Sequence, residues 1–161
     1  MNSAMCRLPA ELAQDIEQHA NDVDRFLKGE LSASILKSRR VPRGIYEQRK
    51  NGTFMVRVRV PGGAIGADQT RALAAVASRY GSGTLHVTTR QDIQLHEVGI
   101  EQTPPVLREL FKAGLTPKGG GGNTVRNITA CPFAGICPAE RFDVTPCVVA
   151  VTEYLIGLAG S

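Results

Sequence analysis

The sequence contains no tryptophan, three tyrosines and five phenylalanines, so aromatic rings occupy 5% of its 161 positions. Sheet surfaces that read RNA stack bases on aromatic side chains of their central strands, and this scarcity argues against a nucleic-acid partner. Long apolar runs are missing too. None reaches the ~18 residues of a membrane span, and the N-terminus lacks the apolar core of a signal peptide. A cytoplasmic chain with no membrane partner is the expectation. Cysteine is sparse: Cys6, Cys131, Cys137 and Cys147 are the full set. In a reducing compartment they read as thiols or metal ligands rather than disulfides. Carboxylates number 15 against 19 cations, a net charge of +4, which favours anionic ligands without singling out nucleic acid.

What is present is enough for one compact core. Hydrophobic residues make up 42% of the chain, and 17 glycines with nine prolines predict frequent turns. The most informative stretch is Phe54-Met55-Val56-Arg57-Val58-Arg59-Val60-Pro61-Gly62-Gly63. Read with period two, it puts Val56, Val58 and Val60 on one face of a strand and Arg57 and Arg59 on the other. Residues 84–96 repeat the device. Leu85, Val87, Ile93 and Leu95 fall on one side, with His86, Thr88, Arg90, Gln94 and His96 on the other.

Helical spacing surrounds these strands. Leu12, Ile16, Ala20, Val23 and Leu27 predict an amphipathic helix over 8–28, with His19 on its surface. Residues 32–45 read as an irregular basic arm. Further helices are expected from 68 to 80, from 103 to 114 and from Thr145 onward. The order over 54–114 is therefore β-α-β-β-α. This predicts an α+β fold, a ferredoxin-like half-domain whose antiparallel sheet has helices on one face but lacks a fourth strand. An N-terminal helix and arm (1–43) precede the half-domain (44–117), and the start of a second α/β module (118–161) follows. The open edge predicts edge-to-edge pairing with a second copy or a missing half. With the helices over the aliphatic side, the opposite face gathers arginines, histidines and amides, and Asp92 at the turn is its only carboxylate. Donors without acceptor charge suit a polyanionic ligand.

The rest of the chain carries Gly119–Gly122, expected to allow close backbone approach or a mobile loop. It lacks the Gly-Lys-Ser/Thr of a phosphate-binding P-loop. Arg126 and Asn127 follow as donors ahead of an apolar run. Cys131 and Cys137 have C-x5-C spacing, with Cys147 ten residues on, which fits neither a zinc ribbon nor a bacterial ferredoxin. Buried thiols acting as small apolar residues are the expectation, with no metal ligand assigned.

Phe54–Gly63 (FMVRVRVPGG), Leu85–His96 (LHVTTRQDIQLH) and Thr124–Gly135 (TVRNITACPFAG) resemble, in order and spacing, three signature segments of the sirohaem-dependent sulfite and nitrite reductases. The resemblance spans roughly residues 44 to 156. It implies an oxidoreductase in which sirohaem, a tetrapyrrole with eight carboxylates, lies in a cationic cavity. One axial position faces the substrate, and the other is coupled to a 4Fe–4S cluster through a cysteine sulfur. By this similarity Arg59 and Arg126 are catalytic, holding the oxyanion. Arg57, Arg90, Gln94, His96 and Asn127 contact the macrocycle and its carboxylates, while Thr88 and His86 are either further hydrogen-bonding groups or structural. The implied reaction is sulfite to sulfide, with nitrite to ammonia as the alternative. A precorrin-modifying relative and a basic-sheet RNA module rank below both. The family uses two such half-domains followed by modules with the cluster cysteines. Cys131 and Cys137 imitate the first ligand pair but sit too early. The expectation is thus an N-terminal fragment, inactive and cofactor-free alone, completed by a missing C-terminal half and served by an electron donor.

Overall fold

In the computed structural model, which describes residues 6–158, helix α1 runs Glu11–Leu27 and buries Leu12, Ile16 and Val23. A second helix, α2 (Ala33–Arg40), stands where an irregular arm is predicted. Ser32 caps it, accepting from the Ile35 amide at 3.4 Å, and Leu36 and Arg40 are buried. Two turns are too few for the apolar period to show in sequence. The Arg40 guanidinium lies 4.8 Å from the Phe54 ring centre and donates to the Ile45 carbonyl at 2.8 Å.

The fourth strand is present. β1 (Ile45–Glu47) pairs antiparallel with β2 (Thr53–Val58), which pairs with β4 (Ile93–Gly99), whose other neighbour is β3 (Leu85–Val87). The sheet order is β1-β2-β4-β3. β1 escapes sequence reading because three residues cannot display an alternation, and Arg43-Gly44 before it look like loop. Beyond β1, Thr116 bridges to Arg59, whose amide donates to the Thr116 carbonyl at 3.0 Å. The expected edge-to-edge pairing rested on an unpaired β2 edge, and that edge is filled from within the chain.

Helices α3 (Ala67–Tyr80) and α4 (Thr103–Lys112) join α1 over one sheet face. Ile45, Val56, Val58, Leu73, Leu95, Val98, Val106 and Leu110 are fully buried between the layers. This is the α+β, ferredoxin-like arrangement expected from the periodicities. Val87 departs from it: at the end of the β3 edge it is 80% exposed, outside the reach of the helices. From 118 to 144 the chain forms no helix or strand, and α5 (Thr145–Leu158) then packs against the 3-10 turn Pro61–Gly63.

His19 is not a surface histidine. It is fully buried, with Nε2 2.9 Å from the Thr103 hydroxyl. That hydroxyl donates to the Ile100 carbonyl at 2.7 Å, so it accepts from His19 Nε2–H and leaves Nδ1 bare and unpartnered. Burial, then the Arg43 charge, pushes the ring pKa down to about 4 from 6.5, against the pull of Asp22 and Asp15. The sign of the pH effect follows. As pH falls below about 6.5 the unfolded chain takes up a proton that the folded ring refuses, and the refusal ends near 4. The contribution of neutral His19 is complete above that window and is lost within it, about 3 kcal/mol in all at 1.36 kcal/mol per unit. Denaturant midpoints followed across the window should fall with pH. His19→Gln, which keeps a donor to Thr103, should flatten the profile.

Candidate functional site

The face of the sheet away from the helices is roofed at one end by residues 118–130, and the three arginine-bearing segments meet there. Arg59 continues from β2 and is only 3% exposed. Its Nη1 donates to the Lys118 carbonyl at 3.3 Å and its Nη2 to the Arg126 carbonyl at 3.0 Å. Arg90, in the β3–β4 turn, donates from Nη2 to the Asn127 carbonyl at 2.8 Å. Asn127 replies through Nδ2 to the Val60 carbonyl at 2.9 Å and the Arg90 carbonyl at 3.0 Å. The end of β2, the turn and the 126–130 segment are thus tied into one body.

Gln91 closes the same joint. Its Nε2 donates to the Ala130 carbonyl at 2.8 Å and its Oε1 accepts from the Ala130 amide at 3.0 Å. It does so from a left-handed backbone, φ 60°, unusual for a residue with a side chain. Gly62 adds a further tie, donating to the Ile128 carbonyl at 2.9 Å.

The four-glycine run serves close approach rather than mobility. A Cβ on Gly119 would lie 2.6 Å from Arg59 Nη1, and one on Gly120 2.7 Å from the Arg57 carbonyl. A methyl on Gly121 would overlap the Tyr46 ring and hydroxyl. Only backbone fits under this roof. The Tyr46 hydroxyl in turn accepts from the Gly122 amide at 3.0 Å.

Farther along the face stand Arg57, Gln94, His96 and His86. Arg57 lies 5.6 Å from the Tyr46 ring centre and reaches the Gly120 carbonyl at 3.5 Å. With its amide oxygen turned toward Arg57, Gln94 accepts from Nη2 at 3.0 Å and Nε at 3.3 Å. The rings of His86 and His96 lie 4.5 Å apart. The Gln48 amide oxygen accepts from the Glu97 amide, so its nitrogen faces His96 Nδ1 at 2.9 Å. His96 therefore carries its proton on Nε2, which is buried without a partner. Burial and the nearby His86 hold its pKa below the ordinary value.

These positions bring the sequence-predicted residues together, but as a partly closed site rather than an open cationic platform. Arg126 is half-buried, with Nε buried and unpartnered. Arg59 Nε is likewise unpartnered. Thr88 is structural, its hydroxyl accepting from the Asp92 amide at 3.1 Å. Asp92 is 1% exposed, with Oδ1 unpartnered. Burial pushes its carboxyl pKa up, opposed by Arg57, Arg59, Arg126 and Arg90. Gln91, Gln48 and Tyr46 are the contributors that residue-type reasoning missed. Only the first had a signal, as a polar residue inside the turn between two matching faces.

The cysteines are not the buried apolar thiols expected. Cys131 and Cys147 are exposed, Cys6 and Cys137 half-buried, and all four are free. Among the described residues no group of three or more His, Cys, Asp or Glu is placed to hold a metal ion. Beside the roofed arginines an apolar cavity of about 350 Å³ opens between the end of the sheet and α5, lined by Val60, Pro61, Val87, Ile93, Val148 and Val149 among others.

Residues 46–113 match the family model of the nitrite/sulfite reductase ferredoxin-like half domain. The chain is 41% identical over 105 residues to a ferredoxin–nitrite reductase of Synechococcus elongatus, covering 65% of this chain and 20% of that protein. It is 36% identical over 115 residues to the chloroplastic ferredoxin–nitrite reductase of Spinacia oleracea, covering 70% and 19%. Against the chloroplastic enzyme of Zea mays, identity is 33% over 154 residues, covering 94% and 25%. The structure of the Mycobacterium tuberculosis NirA protein shares the fold with TM-score 0.72 at 24% identity, covering 88% of this chain and 31% of that one. The chain spans about a fifth of the length of the curated relatives it matches. A half domain matched from β1 to the end of α4, carrying the arginine strand and the Arg-Gln turn, places residues 46–113 in the family of nitrite/sulfite reductase ferredoxin-like half domains.

Proposed function

We propose that this chain supplies the arginine wall of a site at which nitrite or sulfite is reduced, within a larger enzyme that carries sirohaem and a 4Fe–4S cluster. One observation carries the reading. Arg59 and Arg126 meet through a backbone hydrogen bond while the Nε–H groups of both stay buried and unpartnered. Buried donors seldom go unmet unless something else meets them, and two guanidinium N–H groups suit a small oxyanion. The relatives named above are nitrite reductases, so nitrite is the first substrate to test. Sulfite stays beside it because the family model spans both.

The donor set also fits a polycarboxylate macrocycle. Arg57, Arg90 and the bare Nε2–H of His96 offer charge and hydrogen bonds on one face. Sirohaem, when bound, supplies the iron at which the oxyanion takes up electrons. Asn127 has a different part in this reading. Its Nδ2 is committed to two carbonyls and only the acceptor Oδ1 is left over, so it positions Arg90 and Arg126 and does not receive a carboxylate. The cluster ligands are assigned to sequence outside residues 6–158.

The test uses the full reading frame that contains this sequence. The expected result is a purified protein with a sirohaem absorption spectrum that turns over nitrite or sulfite with an artificial reductant, the higher kcat/KM naming the substrate. A colourless protein that retains nucleic acid would overturn the reading in favour of a basic binding module.

A further inference from the structure

The β2–β4 register pairs Arg57 with Gln94 and Val58 with Ile93. Continued by one residue, it sets Asp92 opposite Arg59 on the same face, and both side chains are buried. Opposed charges so placed ordinarily form an ion pair, yet no carboxylate oxygen of a described residue comes within 4.0 Å of the Arg59 or Arg126 guanidinium. Instead Asp92 Oδ1, Arg59 Nε and Arg126 Nε are each left without a partner. The charged groups that face Asp92 are all cations. Arg57 and Arg59 come from β2, Arg90 from the turn and Arg126 from the roof.

We propose that Asp92 sets the charge preference of this anion site, offsetting one arginine so that a singly charged oxyanion such as nitrite is taken ahead of a doubly charged one such as sulfite. The inference rests on the oxyanion reading given above and adds a determinant of selectivity to it. The physics is that of a charge acting through space. A carboxylate locked in a bidentate pair would have its field largely cancelled at short range. One with a free oxygen, under a roof that excludes water, acts on whatever enters the neighbouring space. Its repulsion scales with the charge of the anion. Removing it therefore raises the affinity of a dianion by about the square of the factor gained by a monoanion, roughly a hundredfold against tenfold.

The experiment titrates the full enzyme that contains this sequence, and its Asp92→Asn variant, with inorganic nitrite and with sulfite in alkaline buffer, reading the dissociation constants by calorimetry. The expected result is tighter binding of both anions by the variant, with the larger gain for sulfite, and wild-type preference in Asp92→Glu. Equal gains for the two anions, or none, would overturn the charge role while leaving the oxyanion site standing. Failure of both anions to bind either full-length protein would overturn the oxyanion reading itself and this inference with it. A melting temperature of Asp92→Asn below that of the wild type at neutral pH would make Asp92 a structural partner and equally defeat the proposal.

Discussion

Arg126→Gln in the complete enzyme is expected to lower turnover of nitrite or sulfite by about 10²–10³-fold, the usual loss when one preorganised donor is removed from a reacting anion. The fold should hardly notice. The Arg126 side chain makes no hydrogen bond among the described residues and is only half-buried, so stability should move by no more than about 0.5 kcal/mol. The same change at Arg59 behaves differently. Arg59 donates to the carbonyls of Lys118 and Arg126 from a buried position. Glutamine cannot reach both, and each stranded carbonyl costs about 1–3 kcal/mol. Arg59→Gln should thus lose activity and stability together, and Arg126→Gln activity alone. Steady-state kinetics and denaturant unfolding on the two variants check the split. Equal stability losses would mean that Arg126 is a structural residue.

Leu95→Ala should have the largest effect on folding. Leu95 is fully buried at the centre of β4, paired across the sheet with Val56 on one side and Leu85 on the other. Truncation there leaves a cavity that neither neighbouring strand can collapse into, and costs about 2–5 kcal/mol. A chain of this size has about 5–15 kcal/mol to lose. Gln94 and His96 flank Leu95 and point to the opposite face, so the variant should also weaken the Gln94 and His96 positions above it. A fall in the urea midpoint, with the slope of the transition unchanged, is the measurement. A shift below about 1 kcal/mol would contradict the assigned core.

The parts of the fold legible in the sequence were those long enough to display a period. The stripe of α1 and the alternations of β2 and β4 repeat often enough to be read, and the aliphatic side they define is the buried one. β1 and α2 were not legible. Three residues and eight residues carry too few repeats, and both are held in place by partners outside themselves, β1 by β2 and Arg40 by the Phe54 ring. His19 was misplaced because the apolar stripe is wider than its aliphatic members, and a histidine with Thr103 to bond can lie within it. The arginines were legible as a face, since strand geometry fixes which side they take. Their partners were not. Nothing in residue type says that Arg59 will spend two donors on a passing backbone, or that the close approach allowed by Gly119–Gly122 will be to Arg59 and Tyr46.

The bonds that fix the arginines have a consequence for how the protein comes into being. Arg59 reaches carbonyls 59 and 67 positions away, and Arg90 and Gln91 reach carbonyls 37 and 39 away. The hairpin β1–β2 and each helix can gather from neighbours, but these long closures cost chain entropy before they return any contact. The cationic wall therefore cannot form before such closures are made, and the β2–β4 pairing beneath it is itself one of them. A nascent molecule that has only its hairpin and its helices has no place for an anion.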